Sequence, residues 1–307
     1  MQVIVTGGAG FIGAHTCRAL LAKGHRVTAV DDLSHGKREA VPDGVELVVL
    51  DVRDPKLMTE MEKRRPDAVV HLAAQMDVRK SVADPLFDAS VNVLGTLSAL
   101  ESARRAVVRR FVFASSGGAV YGEQDVFPAS EAHARRPASP YGTSKLCGEE
   151  YVEHYRRNHG LSTLALRYAN VYGPGQDPLG EAGVVAIFLH QLLEGRTPRI
   201  NGDGLQTRDF VYVEDVARAN LLGVESAASG ALNIGTAREA NIVQLAEKLV
   251  KATGGPKPTH GPPAPGEQRR SVIDPAAAKK ALGWEPRVGF EEGLERTAEW
   301  FKSRRKA

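Results

Sequence analysis

The 307-residue chain has only two cysteines, Cys17 and Cys147, and both fall within helical patterns without metal-ligand spacing. That scarcity argues against a disulfide framework or a metal centre and points to a reducing compartment. No apolar run approaches the roughly 18 residues needed to cross a membrane. The net charge is only +3, and the basic residues are dispersed apart from residues 302–306, which read as a solvated end. A nucleic-acid footprint is therefore absent, and neither a membrane nor a nucleic acid is expected as a partner. There is no internal repeat or low-complexity tract. The first residues read as a strand rather than a leader, so the expected location is cytoplasmic.

What is present is ordinary in bulk and specific in detail. Hydrophobic residues make up 42% and charged residues 25% of the chain, as in soluble globular proteins. The length allows one large core or two lobes. Residues 3–13 read VIVTGGAGFIG. Val3, Ile4 and Val5 predict a buried strand, and residues 11–23 predict a helix with Ile12, Thr16, Ala19 and Leu20 on one face. A glycine loop between the two gathers backbone N–H groups and a helix N-terminus at one point, which suits a pyrophosphate. Gly7 takes the tight turn, Gly10 lets the backbone approach the phosphates, and Gly13 lets the helix pack closely on the strand. A second strand, residues 25–30, ends at Asp31 and Asp32. A carboxylate there accepts hydrogen bonds from the ribose hydroxyls of NAD and repels the 2′-phosphate of NADP.

Strand and helix patterns then alternate. Residues 46–50 form a strand ending at Asp51 and Val52, where the carboxylate can meet an adenine amino group and the Val52 N–H a ring nitrogen. The alternative reading is a plain strand-end turn. Residues 67–72 form a fourth strand running through Leu72 into Ala73 and Ala74, small enough for a cofactor to pass. A long helix over 85–105 carries Asn92 and Thr96 on one face, and a fifth strand, 109–114, leads to Ser115 and Ser116. Tyr141 and Lys145 follow, four apart at the start of a helix running to about residue 158. A lysine ammonium beside a phenol lowers its pKa from about 10 and readies it as a general base. Residues 161–167 are a sixth strand, ending at Tyr168, where the rhythm breaks. This succession predicts an α/β fold: a doubly wound, Rossmann-type parallel sheet over 1–168 and a smaller C-terminal α/β lobe over 169–307, some of whose segments return to the first. In that lobe residues 180–183 precede a helix at Val184 whose N-terminus can meet a second phosphate. Residues 207–213 predict a strand carrying Arg208, and Asp215 reads as a helix cap.

TGGAGFIG, HLAAQ, NVLGT, ASSGGAVYG, YGTSK, RYANVYGP and RDFVYVEDVA together resemble the extended short-chain dehydrogenase/reductase superfamily over nearly the whole chain. Within it they are most similar to the UDP-glucose 4-epimerase family. The resemblance implies bound NAD, a UDP-sugar substrate, and epimerisation at C4 through a 4-keto sugar. It implies Tyr141 as base, Lys145 as its tuner, and Ser116 at the sugar's 4-hydroxyl. Phe11, Ile12, Leu72, Ala73, Ala74, Asn92 and Tyr168 join the NAD set. Asn170 and Arg208 would hold the sugar nucleotide's diphosphate, Glu267 its ribose, and Ser271 the space beside the sugar's C2 substituent. A homodimer is implied, packed through the helices of 85–105 and 139–158. Two departures stand out. ASSGGAVYG is one residue longer than the SSSATVYG form, so Ser116 rather than Ser115 rests on counting from Phe113. Ala264 stands where relatives often carry arginine, leaving Arg269 or Arg270 to substitute. Sugar-nucleotide dehydratases and decarboxylases of the same superfamily remain alternatives, although Gly117, Gly118 and Ala119 hold no acid or base for them. A catalytically silent NAD-binding regulator is the third reading.

Overall fold

The computed structural model describes residues 1–180, 183–264 and 266–305. Glu181 and Ala182 of the segment before Val184, and Pro265 before Glu267, lie outside the described residues. The first strand, β1 (Gln2–Thr6), is buried beyond its first residue and feeds the glycine loop and α1 (Phe11–Ala22). The alternation continues with β2 (Arg26–Asp31), β3 (Glu46–Val49), α2 (Lys56–Arg64) and β4 (Ala68–His71). Next come α3 (Val78–Ala83), α4 (Pro85–Ala89), a π turn (Ser90–Leu94), α5 (Gly95–Arg105), β5 (Arg110–Ser116) and α6 (Gly117–Val120). Then follow α7 (Pro140–His159), β6 (Ser162–Tyr168), β7 (Asn170–Tyr172), α8 (Val184–Leu193), β8 (Arg199–Asn201), β9 (Thr207–Arg208) and β10 (Phe210–Tyr212). The remainder is α9 (Val213–Glu225), β11 (Gly230–Ile234), β12 (Ala240–Asn241), α10 (Ile242–Thr253), β13 (Thr259–Gly261), β14 (Arg270–Ser271), α11 (Ala276–Leu282) and α12 (Phe290–Arg305).

Seven strands form one parallel sheet in the order β11-β6-β5-β4-β1-β2-β3. The order reverses direction at β1, whose neighbours are β2 and β4. Apolar clusters pack the sheet from both faces: Cys17, Leu20 and Val216 belong to one, and Leu57, Leu100 and Val152 to the other. The last strand, β11, returns from the C-terminal half to pair with β6. A separate core around Phe188, Tyr172, Leu245 and Leu294 underlies the small strands of that half. Among the described residues no helix is long and apolar enough to cross a membrane, and no group of three His, Cys, Asp or Glu is placed to hold a metal.

Three local expectations are corrected. The strand expected over 207–213 is cut at Asp209 into β9 and β10, which lie in different sheets. The cause is the buried Asp209 carboxylate, which accepts hydrogen bonds from the N–H and hydroxyl of Thr236. Asp215 is not a cap, since α9 already starts at Val213. Its carboxylate instead accepts from the N–H groups of Arg287 and Val288, each at 3.0 Å, pinning the chain before α12. The helix expected over 85–105 contains the π turn.

The glycine loop leaves no room for a side chain at Gly7 or Gly13. Gly7 has φ +69, and a Cβ built on Gly13 would stand 1.9 Å from the Gly7 carbonyl oxygen. Gly13→Ala should therefore push α1 off β1 and cost about 1–3 kcal/mol of stability. Denaturant unfolding checks this, and a midpoint unchanged from wild type would show that the loop can yield.

Candidate active site

A cavity of about 400 Å³ opens at the carboxyl ends of β1, β2, β3 and β4. Gly7, Gly10, Phe11, Ile12 and Gly13 form its glycine-loop wall. No side chain caps α1, and its first turn holds no acid, so the helix start is left to what enters the cavity. The contrast is α10, whose start is closed by a capping box of Asn241 and Gln244. Asp31 and Asp32 line the next wall. The Asp31 carboxylate accepts from Ala9 N–H and Leu33 N–H, both at 2.9 Å, tying the end of β2 to the glycine loop. Burial pushes its pKa up, against those two hydrogen bonds. Asp51 and Val52 follow. The Asp51 carboxylate is already held by the guanidinium of Arg53, which keeps its pKa low. Leu72, Ala73 and Ala74 form the floor, and Tyr141, Lys145 and Tyr168 close the far end.

Asn92 stands behind this lining. Its side chain accepts from Gln75 N–H and donates to Gln75 O, each at 2.9 Å, fixing the backbone that runs past the floor. His71, one strand position earlier, bonds the hydroxyls of Thr6 and Thr96. Full burial drops its pKa to about 3, so it is neutral.

The catalytic candidates are set by α7. Ser139 Oγ accepts from Gly142 N–H and caps the helix, which starts at Pro140 and puts Tyr141 and Lys145 in its first two turns. Lys145 Nζ donates to Ala114 O at 2.9 Å and lies 5.8 Å from the centre of the Tyr141 ring. Desolvation lowers the lysine to about 8, against the charges of Asp88 and Glu149. Desolvation raises the tyrosine to about 12; Asp88 adds to the rise, and a hydrogen bond with Ser116 opposes it. The expectation that Lys145 brings the phenol's pKa down is thus not met here: burial and the Asp88 carboxylate raise it, and the opposing influence is Ser116 rather than the ammonium.

The two serines after β5 part company. Ser115 donates to the buried Glu149, which is bound bidentately by Arg167 at 2.9 and 2.6 Å. Ser116 is the serine whose hydroxyl acts on the Tyr141 phenol, opposing the rise in its pKa. Beyond it, a Cβ on Gly118 would come 3.7 Å from Ser271 Oγ and 3.8 Å from Asn170 Oδ1, so these two side chains face the loop after β5. Ser271 pairs with Arg208 through β14 and β9. Arg208 lies 3.7 Å from Glu267 and donates to its own neighbour, Thr207 O. Val184 stands apart, its side chain packed with the C-terminal core. Arg269 and Arg270 are engaged elsewhere, with Asp203 and Glu239 respectively. The sequence reading passed over Asp88, fully buried on α4, and the Glu149–Arg167 pair. The only trace was spacing: Asp88 precedes Asn92 by four residues, and Glu149 follows Lys145 by four.

The profile of the NAD dependent epimerase/dehydratase family matches residues 3–235. A UDP-glucose 4-epimerase from Mycolicibacterium smegmatis is 45% identical over 99% of this chain and 99% of its own. The crystal structure of the Thermotoga maritima UDP-glucose 4-epimerase with UDP-glucose superposes with a TM-score of 0.97 at 45% identity, covering 99% of each chain. The Thermus thermophilus UDP-glucose 4-epimerase in complex with NAD gives 0.93 at 44% identity, over 98% of this chain and 99% of that one.

Proposed function

The chain belongs to the NAD dependent epimerase/dehydratase family, and from that premise we propose that it is an isomerase that inverts C4 of a UDP-sugar, interconverting UDP-glucose and UDP-galactose. The observation that carries this reading is the placing of Tyr141 and Lys145 in the lining of the glycine-loop cavity, with Ser116 acting on the Tyr141 phenol and the nearby carboxylates Asp88 and Glu149 outside that lining, engaged by Gln75, Asn92, Ser144 and Arg167. The loop that would supply a further acid or base to a dehydratase or decarboxylase is Gly117, Gly118 and Ala119. The likeness to enzymes solved with NAD and with UDP-glucose supports the choice of cofactor and substrate.

The residues fit NAD. The uncapped start of α1 at Phe11, Ile12 and Gly13 and the loop glycines Gly7 and Gly10 receive its pyrophosphate. Asp31 and Asp32 take the adenosine ribose, Asp51 and Val52 the adenine, and Leu72, Ala73 and Ala74 let it pass, with Asn92 holding that floor and Tyr168 the far end. When bound, NAD supplies the electron sink for the C4 hydride of the sugar.

Tyr141 takes the proton of the 4-hydroxyl and gives it back on the other face of the flat 4-keto sugar. Lys145 holds the nicotinamide ribose and the charge that develops on Tyr141, and Ser116 orients the hydroxyl. Asn170 and Arg208 grip the diphosphate, with Val184 at the helix start that meets it, and Glu267 takes the uridine ribose. Glu267 lies 3.7 Å from Arg208, so the two carry opposite charges to neighbouring parts of the nucleotide. Binding is concentrated on the nucleotide, because the sugar must turn over. Among the described residues Leu86, Val82 and Leu94 are large apolar side chains left 83%, 63% and 59% exposed on the α3-to-π-turn run, beside α7. They support a homodimer packed through these helices. Two free cysteines suit a cytoplasmic protein.

The decisive measurement is NMR of the products formed from UDP-glucose. Tyr141→Phe should keep the fold and bound NAD yet lose about 10²–10⁴-fold in kcat. Turnover within a few-fold of wild type removes Tyr141 from the chemistry, and release of a stable 4-keto-6-deoxy sugar nucleotide overturns the epimerase reading.

Ser271, beside Gly118, should leave space for an N-acetyl group at C2. UDP-N-acetylglucosamine is expected to be epimerised as well, and Ser271→Tyr to abolish that activity selectively, since an acetamido group cannot share a close-packed pocket with the ring. Equal loss for both sugars would take Ser271 out of the sugar site.

Light scattering at micromolar concentration should give twice the 33.0 kDa chain mass. A monomer would refute the homodimer.

A further inference from the structure

Asp88 has no part in the chemistry described so far, yet it is fully buried on α4. Its Oδ1 accepts from Gln75 Nε2 at 2.9 Å and from Asn92 Nδ2 at 3.0 Å, and its Oδ2 accepts from Ser144 Oγ at 2.6 Å. Three donors and no directly bonded cation converge on it. They come from the floor after β4, the π turn and α7, so the carboxylate joins the three elements that meet beneath the catalytic end of the cavity. Ser144 is the residue before Lys145.

The charge balance around Lys145 gives this shell its meaning. Lys145 is 5% exposed, and among the described residues its ammonium hydrogen-bonds Ala114 O alone. An ammonium so placed needs a counter-charge to stay protonated. Of the carboxylates near it, Glu149 is neutralised by its bidentate pair with Arg167 and has Arg135 at 3.7 Å. His71 is neutral. Lys80, on α3, reaches the cavity over the Phe87 ring. That leaves Asp88 as the negative charge not matched by a directly bonded cation.

We propose that Asp88 is the buried counter-charge of the Tyr141–Lys145 pair and, through Ser144, the strut that fixes that pair against the cofactor floor. It is a positioning residue: it acts through Tyr141 and Lys145 and touches no reacting atom. A negative charge raises the pKa of both neighbours, keeping the lysine charged and the phenol protonated to higher pH. Removing it moves both down. Whichever of the two groups sets each limb, the pH profile of activity then shifts as a whole to lower pH.

The test is the pH profile of kcat for wild type, Asp88→Asn and Ser144→Ala, with a carbon-13 NMR titration of the Lys145 side chain in the NAD-loaded protein. Asp88→Asn should move both limbs and the lysine titration about one unit to lower pH. Ser144→Ala, which cuts the strut and keeps the charge, should lower kcat with the limbs in place. Should Asp88→Asn not fold, Asp88→Ser, which leaves room for a water, is read the same way. A lower plateau with unmoved limbs, or equal shifts in the two variants, overturns the proposal. It rests on Tyr141 and Lys145 as the proton-moving pair. The lysine titration needs no substrate, so a wrong substrate would silence the kinetics and leave that titration to decide.

Discussion

The reversal of strand order at β1 is the constraint from which the rest follows. Chain connections leave β1 toward β2 on one side, and the β4 connection departs on the other. The two sets of loops part at the carboxyl ends and leave a crevice no side chain has to fill. The glycine loop, the Asp31 carboxylate, the alanines after β4 and the pair on α7 all face that one opening. Each is unremarkable alone; the shared strand end makes them a site.

The part of this written most plainly in the sequence is what depends on local period. A β-branched run, three glycines at spacing three and a helix face put the loop where the structure has it. Tyr141 and Lys145 were legible for the same reason, since four residues along a helix is a fixed distance. What the sequence could not show depends on partners far along the chain. Asp88 lies 13 residues from Gln75 and 56 from Ser144, and apart from its four-residue spacing to Asn92 nothing in its own neighbourhood marks it as more than a surface acid on a helix. The direction of the Tyr141 shift was misread because a local pair was weighed without the desolvation that only the folded environment supplies. The break at Asp209 was hidden likewise: RDFVYV looks continuous, and its interruption comes from Thr236, 27 residues on.

The two serines Ser115 and Ser116 show what the alternation of a strand does with neighbouring residues. β5 carries both residues, and successive side chains in a strand point to opposite faces. One serine is consumed by the Glu149–Arg167 pair under α7, and the other is presented to the phenol. A buried ion pair this well hydrogen-bonded holds β5, β6 and α7 in a single register, although such pairs add little net stability.

The π turn at Ser90–Leu94 behaves as a one-residue insertion retained inside a helix. In a regular α-helix each residue advances ~100°, so side chains eight apart slip ~80° around the axis. The wider turn takes up that slip. Asp88, Asn92 and Thr96, at intervals of four, stay in one inward-facing row, bonded in turn to Ser144, Gln75 and His71. Leu86 and Leu94, also eight apart, stay outward. The insertion thus works as a vernier on the helix, and trimming it by one residue would throw the polar row and the apolar ridge out of alignment together.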